Sequence, residues 1–266
     1  MPGRSPAAIV LPITHRFKHN RLVRSGAYKL GEALGDRVLI GRTVGGSPIA
    51  LSMRDHQHRA IYFYGEYEPE ITTLFHRLVK PGSTVFDVGA NAGYFSITSA
   101  ELGAKVHAFE PNPRVRALLL RSVQLGGGSI EVVGAACSDH SGTMPLYLSS
   151  PDNTGMTGLG TPTDVSVEVD VITLDDYAAR TRARPDLIKM DVEGHEHEAL
   201  AGAGEVLRDC RPTLIVEVGS DATLDLMRTR GYTPQRILRD GSTAAHDGRL
   251  ELIGGYENIC FVPAAG

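Results

Sequence analysis

The sequence predicts an α/β protein built on a mostly parallel sheet with helices on both faces. Two observations carry this. Short, near-continuous apolar runs recur between residues 84 and 219: "TVFDVG", "KVHAF", "IEVVGAA", "DLIKMDV" and "TLIVEVG". A strand with one face in water alternates apolar and polar residues, whereas continuous runs are buried on both faces. Segments with helical spacing separate most of these runs: "GYFSITSAELGA", "PRVRALLLRSVQLGG" and "EHEALAGAGEVLRDC". Strand–helix alternation is the pattern of a parallel sheet with covered faces.

Taken in order, residues 1–60 read as an N-terminal cap and residues 61–266 as the main domain. The stretch "HRFKHNRLVRSGAYKLGEALGDR" reads as one basic helix or two short ones. Its Arg16, Lys18, Arg21, Arg24 and Lys29 form a solvated face, with an acidic partner as the alternative. "RVLIGR" and "SPIALSM" around "TVGG" read as a hairpin. "DHQH", holding Asp55, His56 and His58, reads as a polar loop, since no fourth ligand stands at a fixed metal-site spacing. "EPEITTLFHRLV" has helical spacing and "KPG" ends it. After "IEVVGAA" the connection is longer than a plain crossover. "TMPLYL" and "VSVEVDV" read there as short extra strands. The Gly-rich "SSPDNTGMTGLGTPTD" between them reads as a mobile loop of the kind that carries substrate contacts, or else as a plain surface excursion. The tail offers a last helix, "LDLMRTRGY", and two closing strands, "TPQRILR" and "ENICFVP".

Composition excludes several classes. The 266 residues are 42% hydrophobic and 22% charged, as in an ordinary globular chain. A net charge of −4 without a long basic run points away from nucleic acid. No apolar run approaches the roughly 20 residues that span a bilayer, and "AAIVLPI" is too short and Pro-interrupted for a signal peptide. Cys137, Cys210 and Cys260 are few, odd in number and widely spaced, which fits a reducing cytoplasm better than a disulfide framework. No segment declares an interface, so a homo-oligomer stays open.

The stretch "VFDVGANAGYFS" ends an apolar run in a Gly-rich turn. A dinucleotide fingerprint wants G-x-G-x-x-G after a strand. Here Gly89 and Gly93 flank Asn91, which would crowd a pyrophosphate, and Asp87 repels phosphate while suiting an amine or a sulfonium. The next strand ends in Glu110, 17 residues after Gly93. A carboxylate there can accept two hydrogen bonds from a ribose diol. The turn therefore suits a positively charged, phosphate-free nucleoside, and its spacing resembles motif I of class I S-adenosylmethionine-dependent methyltransferases.

The segments "YGEYEPE", "VFDVGANAGYFS", "AFEPNP", "TLDDY", "IKMDVEGHEHEALAGA" and "RPTLIVEV" follow in that order from Tyr64 to Val218. Together they resemble the FkbM family of methyltransferases. The resemblance implies a Rossmann-like fold with a seven-stranded sheet, S-adenosylmethionine as donor and, commonly, O-methylation of sugars or of hydroxyls on secondary metabolites. The chain departs from the family pattern at Ser122, where an Asn is usual, and at His195, where a small residue is usual. The first 60 residues lie outside the motif set.

Ligands of an open α/β sheet sit beyond the carboxyl ends of its strands, where Asp87, Glu110, Asp191 and Glu217 are expected. The first two are assigned to cofactor, together with Gly89, Asn91, Gly93, Glu68 over the methionine end, and Ala136 and Asp139 near the adenine. Asp191, Glu193 and His195 are the candidates for chemistry. An alcohol must lose its proton as the new carbon–oxygen bond forms, so a base or a metal is needed. His195 has a suitable intrinsic pKa, Glu193 can take the proton, and Asp191 can orient the hydroxyl or contact the cofactor. The bland alternative is that Asp191 and Glu193 cap the following helix. A divalent metal such as Mg²⁺ at Asp191 and Glu217 is a weaker alternative. Lys189, inside a strand, needs a carboxylate neighbour, and His197 is expected in solvent.

The expected activity is thus methyl transfer to a hydroxyl of a small molecule. Sparse aromatics (no Trp, seven Phe, nine Tyr) lean towards a polar acceptor such as a sugar. N-methylation of a small amine, a nicotinamide-dependent oxidoreductase and a non-catalytic cofactor-binding subunit are the competing readings.

Overall fold

The computed structural model describes residues 33–126, 128–148, 157–159, 163–253 and 255–264. The basic N-terminal stretch up to residue 32, and residues 149–156 and 160–162 of the Gly-rich loop, lie outside the described residues.

Five parallel strands make the centre of the molecule: β3 (Thr84–Val88), β4 (Lys105–Phe109), β5 (Ile130–Val133), β9 (Leu187–Met190) and β10 (Thr213–Val218). They are joined at one edge by β13 (Glu257–Pro263), β11 (Tyr232–Ile237) and the short β12 (Thr243–Ala245). The order across the sheet is β12-β11-β13-β10-β9-β3-β4-β5. Without β12 this is the expected seven-stranded arrangement, with β13 antiparallel to both of its neighbours. The edge strand β12 makes eight. Continuous apolar runs form the centre because both faces are covered: β9 is buried at all four positions.

One face carries α2 (Pro69–Leu78), α3 (Tyr94–Glu101) and α4 (Pro113–Gln124), whose Ile71, Phe75, Ile97 and Leu119 share a core with Val85 and Val106. The other carries α5 (Leu174–Thr181), α6 (Glu196–Ala201), α7 (Gly204–Asp209) and α8 (Asp221–Thr229), packed over Phe86, Ile188 and Val216. "EHEALAGAGEVLRDC" is thus two short helices rather than one. The break falls where Gly202 passes the Ser138 carbonyl so closely that a Cβ would collide with it.

"IEVVGAA" divides at Gly134. Its second half, β6 (Ala135–Cys137), leaves the main sheet and pairs with β8 (Ser166–Ile172), which pairs in turn with β7 (Gly142–Tyr147). The two expected extra strands are therefore a hairpin that adds a three-stranded sheet beside the ends of the central strands.

The N-terminal hairpin is present as β1 (Val38–Arg42) and β2 (Pro48–Ser52). Ile49, Leu51 and Met53 belong to the same core as α2 and α4. Ser122, the departure noted above, is fully buried. It accepts a hydrogen bond from the Ala50 amide at 2.9 Å and donates one to the Leu118 carbonyl, so it fastens β2 to α4.

"DHQH" corrects the sequence expectation. It is the start of α1 (His56–Tyr64) rather than a polar loop. Asp55 accepts hydrogen bonds from the Gln57 and His58 amides, the usual work of an N-cap aspartate. His197 is half-buried rather than in solvent. No helix among the described residues is long and apolar enough to cross a membrane.

Candidate functional site

The chain order reverses between β3 and β9: β4 and β5 extend the sheet one way, β10 the other. The crevice beyond the carboxyl ends of such a pair is where open α/β sheets hold ligands. A cavity lies there, lined by the loop after β3, the end of β4, β6 and the loop after β9.

The loop after β3 is shaped by left-handed backbone. Gly89, Asn91 and Gly93 have φ of 83°, 52° and 94°. A Cβ on Gly89 would collide with the Asp191 carbonyl oxygen, so glycine is required where the β3 and β9 loops touch. Asn91, the residue that replaces the middle glycine, is held from three sides. Its Oδ1 meets His58 Nε2 at 2.9 Å and the Ala92 amide at 2.7 Å, and its Nδ2 donates to Gln57 Oε1. The His58 and Gln57 contacts come from α1, an element that sequence reasoning missed. Its signal was an aspartate directly before a run of helical spacing.

Glu110 closes β4 with both carboxylate oxygens anchored. Oε2 accepts from the Asn91 amide at 2.9 Å and Oε1 from the Asn112 amide at 2.8 Å. Burial pushes its pKa up to about 7, against the pull of those amides and Arg116. It lines the cavity, with lone pairs left for a diol. That is the fit expected of a nucleoside ribose. Ala136 lines the same cavity.

Asp87 lies beneath the loop, 1% exposed, and does not line the cavity. Its Oδ2 accepts from Ser96 Oγ at 2.5 Å and its Oδ1 has no partner among the described residues. Burial raises its pKa and the charge of Lys189 opposes the rise. Glu68 is at the N-cap position of α2 but makes no cap hydrogen bond. Its Oε1 accepts from Asn258, its Oε2 is buried without a partner, and burial raises its pKa to about 7. It too stays behind the lining. Asp139 is exposed, bonded to His140 and Ser138, and is not part of the cavity.

Beyond β9, Asp191 and Glu193 make the cavity wall acidic, and Glu217 of β10 stands behind them. Asp191, Glu193 and Glu217 bring carboxylate oxygens within 4.8 Å of one another. Asp191 Oδ2 accepts from Lys189 Nζ at 2.8 Å. Burial opposes the charge of Lys189, but Asp191, Glu68 and Asp87 hold its pKa above the usual lysine range. Glu193 has φ of 55°, a left-handed conformation that side chains rarely adopt, and burial with Asp191 beside it raises its pKa to about 8. Burial, then Asp191, raises Glu217 as well. These oxygen donors are of the type a divalent cation takes. Among the described residues neither Asp191 nor Glu193 hydrogen-bonds the start of α6; Glu196 accepts from the Val192 and Gly194 amides.

His195 lines the cavity at 8% exposure. Its Nε2 bonds Ser138 Oγ at 2.9 Å and its Nδ1 lies 3.6 Å from Glu198. Burial lowers its pKa, against the opposing pull of Glu198 and Asp139. Of the Gly-rich loop, Thr157, Gly158 and Leu159 also line the cavity, and Gly158 pairs with Tyr147.

The chain is 33% identical over 177 residues to the 31-O-demethyl-FK506 methyltransferase FkbM of Streptomyces tacrolimicus, covering 54% of this chain and 68% of that protein. It is 28% identical over 153 residues to the hexuronic acid methyltransferase AglP of Haloferax volcanii, covering 57% and 62%. A solved methyltransferase FkbM from Methylobacillus flagellatus KT superposes with a TM-score of 0.42 at 17% identity, over 91% of this chain and 59% of that one. The methyltransferase FkbM domain matches residues 87–234, the stretch from Asp87 through β3, β9 and β10 into β11. The chain therefore belongs to the FkbM methyltransferase family and is an S-adenosylmethionine-dependent methyltransferase.

Proposed function

We propose that the protein is an O-methyltransferase acting on a hydroxyl of a sugar or secondary-metabolite acceptor. The observation that carries this is the pair of carboxylates Asp191 and Glu193 on the wall of the same cavity that Glu110 and Gly89–Ala92 line, with Glu217 clustered against them. S-adenosylmethionine supplies a methyl group already activated by its sulfonium. Glu110 accepts the ribose hydroxyls, Asn91 and the flanking glycines shape the seat, and Ala136 faces the base. Asp87 and Glu68 act from behind the lining through Lys189.

An alcohol, unlike an amine, must give up a proton as it attacks. Glu193 is the group suited to take it, because a pKa of about 8 lies near neutral pH. Asp191, held by Lys189, orients the acceptor hydroxyl. His195 is engaged with Ser138 and is a positioning residue of the wall. Two relatives support the acceptor class by name, one a 31-O-demethyl-FK506 methyltransferase and one a hexuronic acid methyltransferase. The described cysteines form no disulfide, which supports a reducing, cytoplasmic setting.

The test is transfer of labelled methyl from S-adenosylmethionine to paired glycosides, hydroxylated metabolites and amines. Label on oxygen, lost in Glu193→Gln, is expected. Label on amines alone would overturn the reading.

A further inference from the structure

We propose that His58 is a positioning residue for cofactor binding, acting through Asn91 on the Gly89–Gly93 loop and on Glu110. The proposal rests on the reading that this cavity receives the nucleoside of S-adenosylmethionine.

The hydrogen bonds fix the state of the ring. The Ser52 amide donates to His58 Nδ1 at 3.2 Å, so Nδ1 is the bare nitrogen and Nε2 carries the hydrogen. Nε2 then donates to Asn91 Oδ1 at 2.9 Å. The same oxygen accepts from the Ala92 amide, while Asn91 Nδ2 donates to Gln57 Oε1 at 3.2 Å. Two donors on one side and an acceptor on the other leave the amide a single orientation. The Asn91 amide in turn donates to Glu110 Oε2. One continuous run of bonds therefore links β2, through His58 and Asn91, to the carboxylate assigned to the ribose.

The arrangement is built in and rigid. His58 is 1% exposed and sits in the first turn of α1, which Asp55 caps. Asn91 is held in the left-handed region between two glycines that are also left-handed, a conformation that surrounding contacts must maintain. His58 and Gln57 also lie outside the matched family region, which begins at residue 87. The N-terminal hairpin and α1 thus supply part of the cofactor seat as well as part of the core.

His58→Asn keeps an acceptor for the Ser52 amide but is too short to reach Asn91. His58→Gln places an amide donor near the original Nε2. Calorimetry with S-adenosylhomocysteine should show about five- to tenfold weaker binding in His58→Asn, the scale of one lost hydrogen bond, and near wild-type binding in His58→Gln. KM for S-adenosylmethionine should rise while kcat at saturation holds. In Asn91→Ala the further change His58→Asn should cost no additional affinity. Wild-type affinity in His58→Asn, or losses that add in the double variant, would overturn the proposal. If His58→Asn does not fold, ¹⁵N NMR of the wild-type imidazole decides: a protonated Nε2 and bare Nδ1 support the proposal, and the opposite tautomer sinks it. A wild-type protein that binds no S-adenosylhomocysteine would instead count against the cofactor reading of the cavity, and the NMR result would still stand on its own.

Discussion

Lys189→Met should destabilise the protein strongly, and by an amount that depends on pH. Lys189 is 3% exposed, in the centre of the sheet, with its Nζ 2.8 Å from Asp191 Oδ2. At that distance, with an effective dielectric constant of about 20, the attraction is about 6 kcal/mol before desolvation is charged against it. Methionine fills nearly the same space and keeps contact with Phe95, over whose ring the ammonium now lies at 5.2 Å. What it removes is the positive charge that Asp87, Asp191 and Glu68 all depend on. Breaking a buried pair on one side costs about 3–5 kcal/mol, which for a chain of this size lowers Tm by roughly 6–20 °C. Without the lysine, Asp87 and Glu68, already raised by burial, bind protons still more tightly in the folded state than in the unfolded one. Protonation then relieves the deficit, so the gap to wild type should narrow as pH falls from 7.5 to 5. Urea unfolding at both pH values measures it, with Lys189→Met/Asp191→Asn as a partial rescue. A loss under about 1 kcal/mol, or one that does not change with pH, would refute the view that Lys189 is held by charge.

Gly89→Ala sets a Cβ against the Asp191 carbonyl at a φ of 83°; strain and overpacking together should cost about 2–5 kcal/mol, and full stability in a thermal melt would contradict the close loop contact. Glu193→Gln should lower kcat by roughly a hundredfold while S-adenosylhomocysteine affinity stays within about twofold; equal losses in both would make it a binding group. The base is active when deprotonated, so wild-type kcat should rise with pH towards about 8, and this limb should vanish in the variant. Glu68, Glu110 and Glu193 have pKa values raised to about 7, 7 and 8. The folded state therefore holds protons that the unfolded chain releases, and ligand-free Tm should fall between about pH 5 and 8; a rise across that window would contradict the burial of these groups.

Much of the sheet could be read from the chain because each central strand is apolar throughout, and a strand needs no distant information to be recognised when both its faces are covered. The positions of β6 and β13 could not. "IEVVGAA" looks like one strand, and only the tertiary setting splits it at Gly134 and hands Ala135–Cys137 to another sheet. In the site, Glu110 stands where strand-end logic put it. Asp87 was expected in the cavity because a residue before a turn borders the ligand; alternation along β3 instead turns it towards α3 and Ser96. Asp139 was placed near the adenine by chain proximity to Ala136, but the backbone turns outward after β6. His58 was read into a polar loop because a histidine beside a polar run carries no periodic signal of its own, and the Asn91 it bonds stands 33 residues away.

The strand β13 has a consequence for how the protein is made. Residues 257–263 slide between β10 and β11, both of which precede them in the chain. While the chain is being synthesised, β10 presents a bare edge of buried-type residues until that segment has left the ribosome. A strand inserted between two earlier ones pays its loop-closure entropy late, and an unpaired strand edge is a template for aggregation. Yield in the cell should therefore depend on chaperones at this stage and on the integrity of "ENICFVP".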